Sequence, residues 1–183
     1  NQLENTVFIF TSDNGAAKRF DGIHNSSGVM QGKKRSLNEG GIRVPMVVRW
    51  PGKIKAGRVS SHPWYFPDVM PTFAEIGGVS TEVPEDIDGI SILPTLLDKG
   101  VQKQHEYMFW QYGVRAVRSG KWKGIGKGGH LYLYDLSKDI EEKNDLSSKH
   151  PEIAARMKKY ITIGYREPRS QKDDGKYTGK DKK

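Results

Sequence analysis

The chain has 183 residues, a formal net charge of +8, 35% hydrophobic residues and no cysteine. This length supports one domain or slightly more, since domains usually contain about 100–200 residues. The absence of cysteine excludes disulfide frameworks, cysteine zinc sites and thiol nucleophiles, and no apolar run reaches the roughly 18–20 residues that a membrane-spanning helix needs.

The first residues lead almost directly into a strand. They contain neither an initiator methionine nor a signal-peptide pattern, so the sequence predicts a chain that begins inside a domain. Residues 6–11 are a β-branched and aromatic run, which predicts a strand buried on both faces, as in parallel sheets. The turn residues 12–15 end it. Residues 16–34 contain three glycines and no clear periodicity, which predicts a long loop, and such loops are usually functional or disordered.

The middle of the chain predicts one strand and two helices. The strand covers residues 44–50 and ends at Pro51. A helix is predicted over residues 66–76, because Gly77 and Gly78 provide a stop signal, and a shorter one over residues 92–97.

After Gly100 the sequence becomes aromatic-rich, with short segments separated by glycine-containing turns. This pattern predicts a small antiparallel meander, with strands at residues 107–112, 114–118, 121–125 and 131–136. An amphipathic helix is predicted over residues 151–161, with Ile153, Ala154, Met157 and Ile161 on one face. The chain from Arg166 onward has few apolar residues and is predicted to be disordered.

Positive charge is concentrated in one stretch. Eight basic residues lie between Gln31 and Arg58, against a single acid, Glu39. Such a cluster favours an anionic partner, either sulfate, phosphate, a sulfated glycan or a nucleic acid. For any one lysine, a solvated surface position is the alternative.

Asp13 and Asn14 directly follow the first predicted strand. Ligands in open α/β sheets gather beyond the carboxyl ends of strands, and carboxylate and amide oxygens suit calcium or magnesium. The Asp-Asn-Gly sequence is also ordinary turn chemistry. These residues alone therefore leave both a metal site and a simple turn open.

Lys34 lies in a second candidate segment, residues 32–45, which contains three glycines. Glycine lets the backbone approach a ligand closely, and lysine is a compact cation suited to the oxygens of a tetrahedral anion. The alternative is a basic surface loop that leads into a strand.

Together these segments resemble the later part of a formylglycine-dependent sulfatase, of the arylsulfatase or N-acetylgalactosamine-6-sulfatase type. The resemblance covers about residues 5–163. It is carried by an ordered series of motifs: Thr11-Ser12-Asp13-Asn14-Gly15, Lys34 with Glu39-Gly40-Gly41-Ile42-Arg43-Val44-Pro45, Trp50-Pro51-Gly52, residues 116–123, Leu133-Tyr134-Asp135-Leu136 and Asn144-Asp145-Leu146.

The resemblance implies an α/β, alkaline-phosphatase-like sulfatase fold. Residues 1–104 would be the C-terminal part of its main α/β domain. Residues 105–163 would form a subdomain of antiparallel sheet plus helix, and residues 164–183 a basic, disordered tail.

The resemblance also implies roles for single residues. Asp13 and Asn14 match metal ligands, with Ca²⁺ as the usual ion and Mg²⁺ as the alternative. Lys34 matches the lysine that contacts the substrate sulfate. Glu39 and Arg43 match recurrent positions that we interpret as supports of the loop. His24 lies where substrate contacts vary within the family, and an ordinary exposed histidine is its alternative.

The formylglycine nucleophile of the family is made within a Cys/Ser-x-Pro-x-Arg sequence, and none occurs here. We therefore expect the nucleophile in an N-terminal portion outside this chain, and we expect the isolated chain to be inactive. The implied substrates are sulfate esters, either sulfated carbohydrates or aryl sulfates. Export to the periplasm or outside the cell is implied by the resemblance.

Two alternatives remain open on the sequence. A phosphodiesterase or phosphonate hydrolase of the same superfamily would share the metal and anion chemistry. A non-catalytic module that binds polyanions would use the basic stretch and tail. Nucleic acid is not expected as the partner, because aromatic residues are not interleaved with the basic cluster.

Overall fold

The computed structural model of the protein describes residues 2–20 and 23–167. They form two compact units that alternate along the sequence. The first contains the residues up to Thr11 and Met46–His105, and the second contains Ser12–Pro45 and the residues from Glu106 onward. The predicted domain bounds stay predictions. Residues 168–183 of the predicted disordered tail lie outside the described residues.

The first unit contains a two-stranded antiparallel ribbon. Strand β1 (Phe8–Thr11) pairs with β2 (Met46–Arg49), with Phe8 opposite Arg49. Phe8 and Phe10 remain 44% and 73% exposed. The prediction of a strand buried on both faces in a parallel sheet is therefore wrong for the described residues. An apolar run reports a preference for burial, but it specifies neither the neighbouring strand nor its direction.

Both predicted helices of the first unit are present. A 3₁₀ turn, Phe66–Asp68, leads into α2 (Val69–Gly77), and α3 covers Leu93–Leu97. Helix α2 ends at Gly78, whose left-handed backbone (φ 75°) is the usual helix-terminating conformation. None of the helices within residues 2–20 and 23–167 combines the length and apolarity needed to cross a bilayer.

A buried aspartate ties these elements together. The Asp68 carboxylate is 0% exposed. It accepts hydrogen bonds from the backbone N–H groups of Tyr65 (3.0 Å) and Ile90 (2.7 Å), and it lies 2.8 Å from Nε2 of His105. Because buried carboxylates are tolerated only with such partners, Asp68 connects the start of α2 to residues 90 and 105.

The second unit is built on the predicted meander, which the structure confirms. Its strands are β3 (Met108–Tyr112), β4 (Val114–Ser119), β5 (Trp122–Lys127) and β6 (His130–Asp135), antiparallel and in sequential order. Short glycine-containing turns join neighbouring strands, so local sequence is sufficient to specify this topology.

Helix α4 (Pro151–Ile163) packs on one face of this sheet. Ala154 and Met157 are buried as predicted, whereas Ile153 and Ile161 are only partly buried. Tyr160 is also buried, which the prediction missed. Its ring stacks on Tyr107 at 4.6 Å, and its hydroxyl donates to Glu106 at 3.0 Å. These partners satisfy a polar side chain inside an apolar cluster.

The other face of the sheet packs against Leu37 and Ile42, which come from the segment between β1 and β2. Leu37 is buried against Ala116, Ile125, Tyr134 and Leu136. The segment contains a four-residue helix, α1 (Glu39–Ile42), which was not predicted. Its two glycines are poor helix formers, so packing against the sheet decides its conformation.

The hydrogen bonds of Asp135, at the end of β6, predict that the free energy of unfolding decreases at acid pH. Hydrogen bonds from Lys121 (2.7 Å) and Ser137 (2.5 Å) lower the pKa of Asp135 from 3.8 to about 2. A lowered folded-state pKa contributes stability above the unfolded pKa, and this stability is lost as the pH falls through the folded value. We expect Asp135→Asn to reduce the free energy of unfolding by about 1–2 kcal/mol at pH 7, discounted for the half-exposed Lys121.

Urea unfolding followed by tryptophan fluorescence between pH 7 and pH 2 would measure this. The difference between Asp135→Asn and the native chain should shrink below pH 4 and be largely lost at pH 2. Glu85→Gln, at an exposed carboxylate that forms no ion pair in the described part of the chain, is the control and should leave the profile unchanged. A constant difference at every pH would contradict the assignment.

Candidate functional site

Asp13 and Asn14 lie on a tight turn of the second unit. The Ser12 hydroxyl donates to the carbonyl of Asn14 at 2.9 Å, and the Gly15 N–H donates to the carbonyl of Gly41 at 2.9 Å. Asp13 is exposed and Asn14 is half-buried. Within the described residues the Asp13 carboxylate makes no hydrogen bond or ion pair. Its oxygens are therefore available to a ligand.

Lys34 lies on a second turn. The Ser36 N–H donates to the carbonyl of Lys33 at 2.8 Å, and Arg35 between them has a left-handed backbone (φ 77°). Positive φ at the third turn position is typical of a type II turn. The Lys34 side chain is exposed and its ammonium has no partner in the described part of the chain.

Two backbone hydrogen bonds bring these turns together. Gly15 donates to Gly41, and the Lys34 N–H donates to the carbonyl of Ala16 at 2.9 Å. A Cβ added to Gly15 would lie 1.9 Å from the carbonyl oxygen of Gly40, and one added to Gly41 would lie 2.1 Å from that of Ser36. Only glycine permits such approaches. The sequence-predicted metal pair and lysine thus lie on adjoining turns, and we call residues 31–41 the Lys34 loop.

The Lys34 loop is attached to the sheet through a buried ion-pair network. Lys123 of β5 is 0% exposed, and its ammonium lies 2.8 Å from Glu39 and 2.9 Å from Glu142. Arg43 lies 3.7 Å from the second oxygen of Glu39. This agrees with the interpretation of Glu39 and Arg43 as supports of the loop.

Sequence reasoning did not single out Lys123 and Glu142. The alternation of side chains along β5 could have identified Lys123. It lies two residues before Ile125, so both point to the face of the sheet that packs against Leu37. A lysine at a core-facing position requires a buried partner. Nothing in the sequence indicated that Glu142 would provide one, because residue 142 is more than a hundred residues from Glu39.

His24 lines a hollow whose lining also includes Ala16 and Lys33, which border the turns that carry Asp13 and Lys34. The hollow has a volume of about 610 Å³, and its polar lining includes His24, Asn25, Ser26, Ser27 and Lys33. Asp13, Asn14 and Lys34 do not line it. The structure therefore brings His24 together with Lys33, while the three other predicted site residues lie on the adjoining turns.

Residues 32–164 match the family described as N-sulphoglucosamine sulphohydrolase, C-terminal. The match covers more than half of the chain. The chain belongs to the sulfatase family.

Similar proteins include sulfatases that are named for sugar and steroid substrates. N-acetylgalactosamine-6-O-sulfatase of Bacteroides thetaiotaomicron is 32% identical over 86% of this chain and 36% of its own length. Human steryl-sulfatase is 39% identical over 78% of this chain and 31% of its own. A structure solved with its substrate D-glucosamine-2-N,6-O-disulfate is 25% identical, with a TM-score of 0.69 over 90% of this chain and 35% of its own. The chain thus spans about a third of each relative.

The likeness to sulfatase structures confirms the predicted α/β fold class. Sulfatases generally use a divalent cation, and the chemistry of Asp13 and Asn14 fits one, since both offer hard oxygen donors. Across residues 2–20 and 23–167, no three His, Asp or Glu side chains converge on one point. Calcium takes about 6–8 oxygen ligands, so these two residues could form only part of a sulfatase metal site.

Proposed function

We propose that this chain supplies part of the active site of a sulfatase, with Asp13 and Asn14 as ligands of a divalent cation and Lys34 as the contact for the substrate sulfate. One observation carries the proposal. Among residues 2–20 and 23–167, the Asp13 carboxylate and the Lys34 ammonium have no partner, and they lie on adjoining turns that are hydrogen-bonded to each other through Gly15–Gly41 and Lys34–Ala16. A sulfate bound beside a cation needs this combination of anionic metal ligand and free positive charge.

Each group has a distinct role in the proposal. The Lys34 ammonium offsets negative charge on the sulfate oxygens, and this interaction strengthens as charge develops in the transition state. The carboxylate of Asp13 and the amide oxygen of Asn14 hold Ca²⁺, or alternatively Mg²⁺. When bound, the cation polarises a sulfate oxygen.

The nucleophile has to come from another part of the sulfatase. The 183 residues contain no cysteine and no Cys/Ser-x-Pro-x-Arg sequence in which formylglycine could form. We therefore expect the chain without its N-terminal portion to have no hydrolytic activity. Export of the whole protein is part of the proposal and depends on the family resemblance.

Sulfated sugars are the proposed substrates. The hydroxyl, amide and imidazole groups around His24 suit the hydroxyls of a sugar ring, and two of the relatives act on sulfated hexosamines by name. His24 is proposed as a substrate contact in this hollow. The similarity to steryl-sulfatase keeps an aryl or steroid sulfate as the competing substrate class.

An assay of the complete sulfatase tests the proposed reaction. We expect calcium-dependent hydrolysis of 4-nitrophenyl sulfate and little hydrolysis of bis(4-nitrophenyl) phosphate. The reverse preference would instead support a phosphodiesterase. No hydrolysis, together with salt-sensitive and calcium-insensitive binding to heparin, would support a polyanion-binding module.

Asp13→Asn is expected to weaken calcium binding by the complete sulfatase. Loss of a group that merely supports a metal ligand costs about 10–100-fold in affinity, so loss of a charged ligand should cost at least as much. Calorimetric titration with calcium measures this. Asp98→Asn, which removes another exposed carboxylate at a left-handed position that asparagine tolerates, is the control. An unchanged calcium affinity would remove Asp13 from the site.

A further inference from the structure

The Lys123 ammonium is a buried charge that the proposed reaction does not use. It contacts Glu39 at 2.8 Å and Glu142 at 2.9 Å, and all three side chains are at most 3% exposed. Burial of a charge is unfavourable unless close partners offset the lost hydration. Since an apolar side chain at this position would avoid that cost, the buried charge calls for a structural reason.

Glu142 contacts both ends of the Lys34 loop. Its carboxylate accepts the backbone N–H of Glu39 at 2.7 Å, and its backbone carbonyl accepts the side-chain amide of Gln31 at 3.2 Å. The N–H of Gly40 donates to the carbonyl of Gln31 at 2.7 Å, which closes the loop. The position of residue 142 therefore sets the position of residues 31 and 39 together.

Lys123 holds the two carboxylates at this junction. Glu39 and Glu142 carry like charges and approach each other closely enough that one accepts the backbone N–H of the other. Arg43 is half-exposed and lies 3.7 Å from Glu39. It therefore reduces the repulsion between the Glu39 and Glu142 carboxylates less than the fully buried Lys123 ammonium does. Without Lys123, repulsion between the carboxylates would separate Glu39 from Glu142 and open the base of the Lys34 loop.

We propose that Lys123 is a positioning residue, whose ion pairs with Glu39 and Glu142 hold Lys34 where it meets the sulfate. This inference rests on the proposed function of Lys34. The four-stranded sheet β3–β6 would thus have an indirect role in catalysis. Lys123 of β5 would fix the turn that carries Lys34 without itself contacting the substrate.

Lys123→Met tests the inference, because methionine keeps the length of the side chain and removes its charge. The matched control is Lys121→Met. Lys121 also forms a 2.7 Å ion pair, with Asp135, but it is half-exposed and contacts no residue of the Lys34 loop. In the complete sulfatase we expect kcat/KM to fall about 10–100-fold in Lys123→Met, since displacements of about 1 Å have effects of this size, and less than about threefold in Lys121→Met.

A double-mutant cycle with Lys34→Ala separates positioning from a general loss of structure. If Lys123 acts through Lys34, Lys123→Met should lower kcat/KM by less than about threefold once Lys34 is alanine. Equal losses in both backgrounds would overturn the inference and leave the proposed function intact. A Lys34→Ala enzyme with native kcat/KM would overturn the proposed function itself, and this inference with it.

Hydrogen exchange gives a readout that does not depend on activity. In Lys123→Met the amides of Lys34 and Gly40, which are hydrogen-bonded in the native loop, should exchange at least about tenfold faster, with no change in Lys121→Met. Native exchange rates would contradict the inference. If Lys123→Met does not fold, Lys123→Gln replaces it: glutamine still donates hydrogen bonds to a carboxylate but carries no charge, so the repulsion between Glu39 and Glu142 remains and the same faster exchange is expected in the same amides.

Discussion

Lys34→Ala is expected to lower kcat/KM of the complete sulfatase by about 10²–10³-fold, which is the usual cost of removing one group that stabilises charge in a transition state. The structure supports a large effect, because the Lys34 ammonium is exposed and has no partner within the described residues. Among the described residues, no side chain would therefore compete with sulfate for the charge of Lys34. Steady-state kinetics with 4-nitrophenyl sulfate, with and without added inorganic sulfate, measures both catalysis and anion binding.

Arg35→Gly is the matched control for Lys34→Ala. It removes the neighbouring positive charge from the same turn, and glycine adopts the left-handed backbone of residue 35 without strain. We expect less than a fivefold change in kcat/KM, roughly the effect of one exposed charge on the local potential. Similar losses in the two variants would indicate a diffuse electrostatic effect, and native activity of Lys34→Ala would exclude Lys34 as the sulfate contact.

Gly15→Ala is expected to disrupt the metal and sulfate sites together. The new methyl group would lie 1.9 Å from the carbonyl oxygen of Gly40 and 2.9 Å from Cα of Gly41. Both are backbone atoms, so the turn of Asp13 has to move away from the Lys34 loop. We expect the complete sulfatase to lose at least about 100-fold in kcat/KM, because a shift of about 1 Å in catalytic groups has this cost, and to bind calcium more weakly.

Gly77→Ala is the control that shows whether the loss of activity in Gly15→Ala arises from the close approach of residue 15 to Gly40. Gly77 is the last residue of α2, and an added Cβ would meet nothing nearer than a methyl group of Val79 at 3.8 Å. Alanine is favoured over glycine in helices, so activity and calcium affinity should be native and thermal stability equal or slightly higher. If Gly15→Ala is equally harmless in activity and calcium titration, the contact between the two turns does not position the site.

The second unit was predictable where its structure is local. Aromatic and β-branched segments alternate with glycine turns in residues 107–136, and each strand pairs with the next one along the chain. Helix α4 follows from its amphipathic spacing. Such elements need only neighbouring residues to determine them, because hairpin turns and helical faces are encoded within a few residues.

The candidate site was predictable as a set of residues but not as an arrangement. The motifs around Asp13 and Lys34 identify the residue types that a cation and a tetrahedral anion require. The hydrogen bonds of Gly15 to Gly41 and of Lys34 to Ala16, which place the two turns side by side, join residues 18–26 positions apart. Turn sequences do not specify which other turn they contact.

Local sequence therefore determined the meander, helices α2, α3 and α4, and the chemical character of Asp13, Asn14 and Lys34, because propensity and donor type belong to single residues and short segments. Tertiary structure decided the rest. It left Phe10 exposed on β1, folded the glycine-rich α1 as a helix, and paired Lys123 with carboxylates from two distant segments. Burial and ion pairing depend on which distant residues the fold brings into contact. The sequence indicates that a residue prefers to be buried or paired, but it does not indicate the partner.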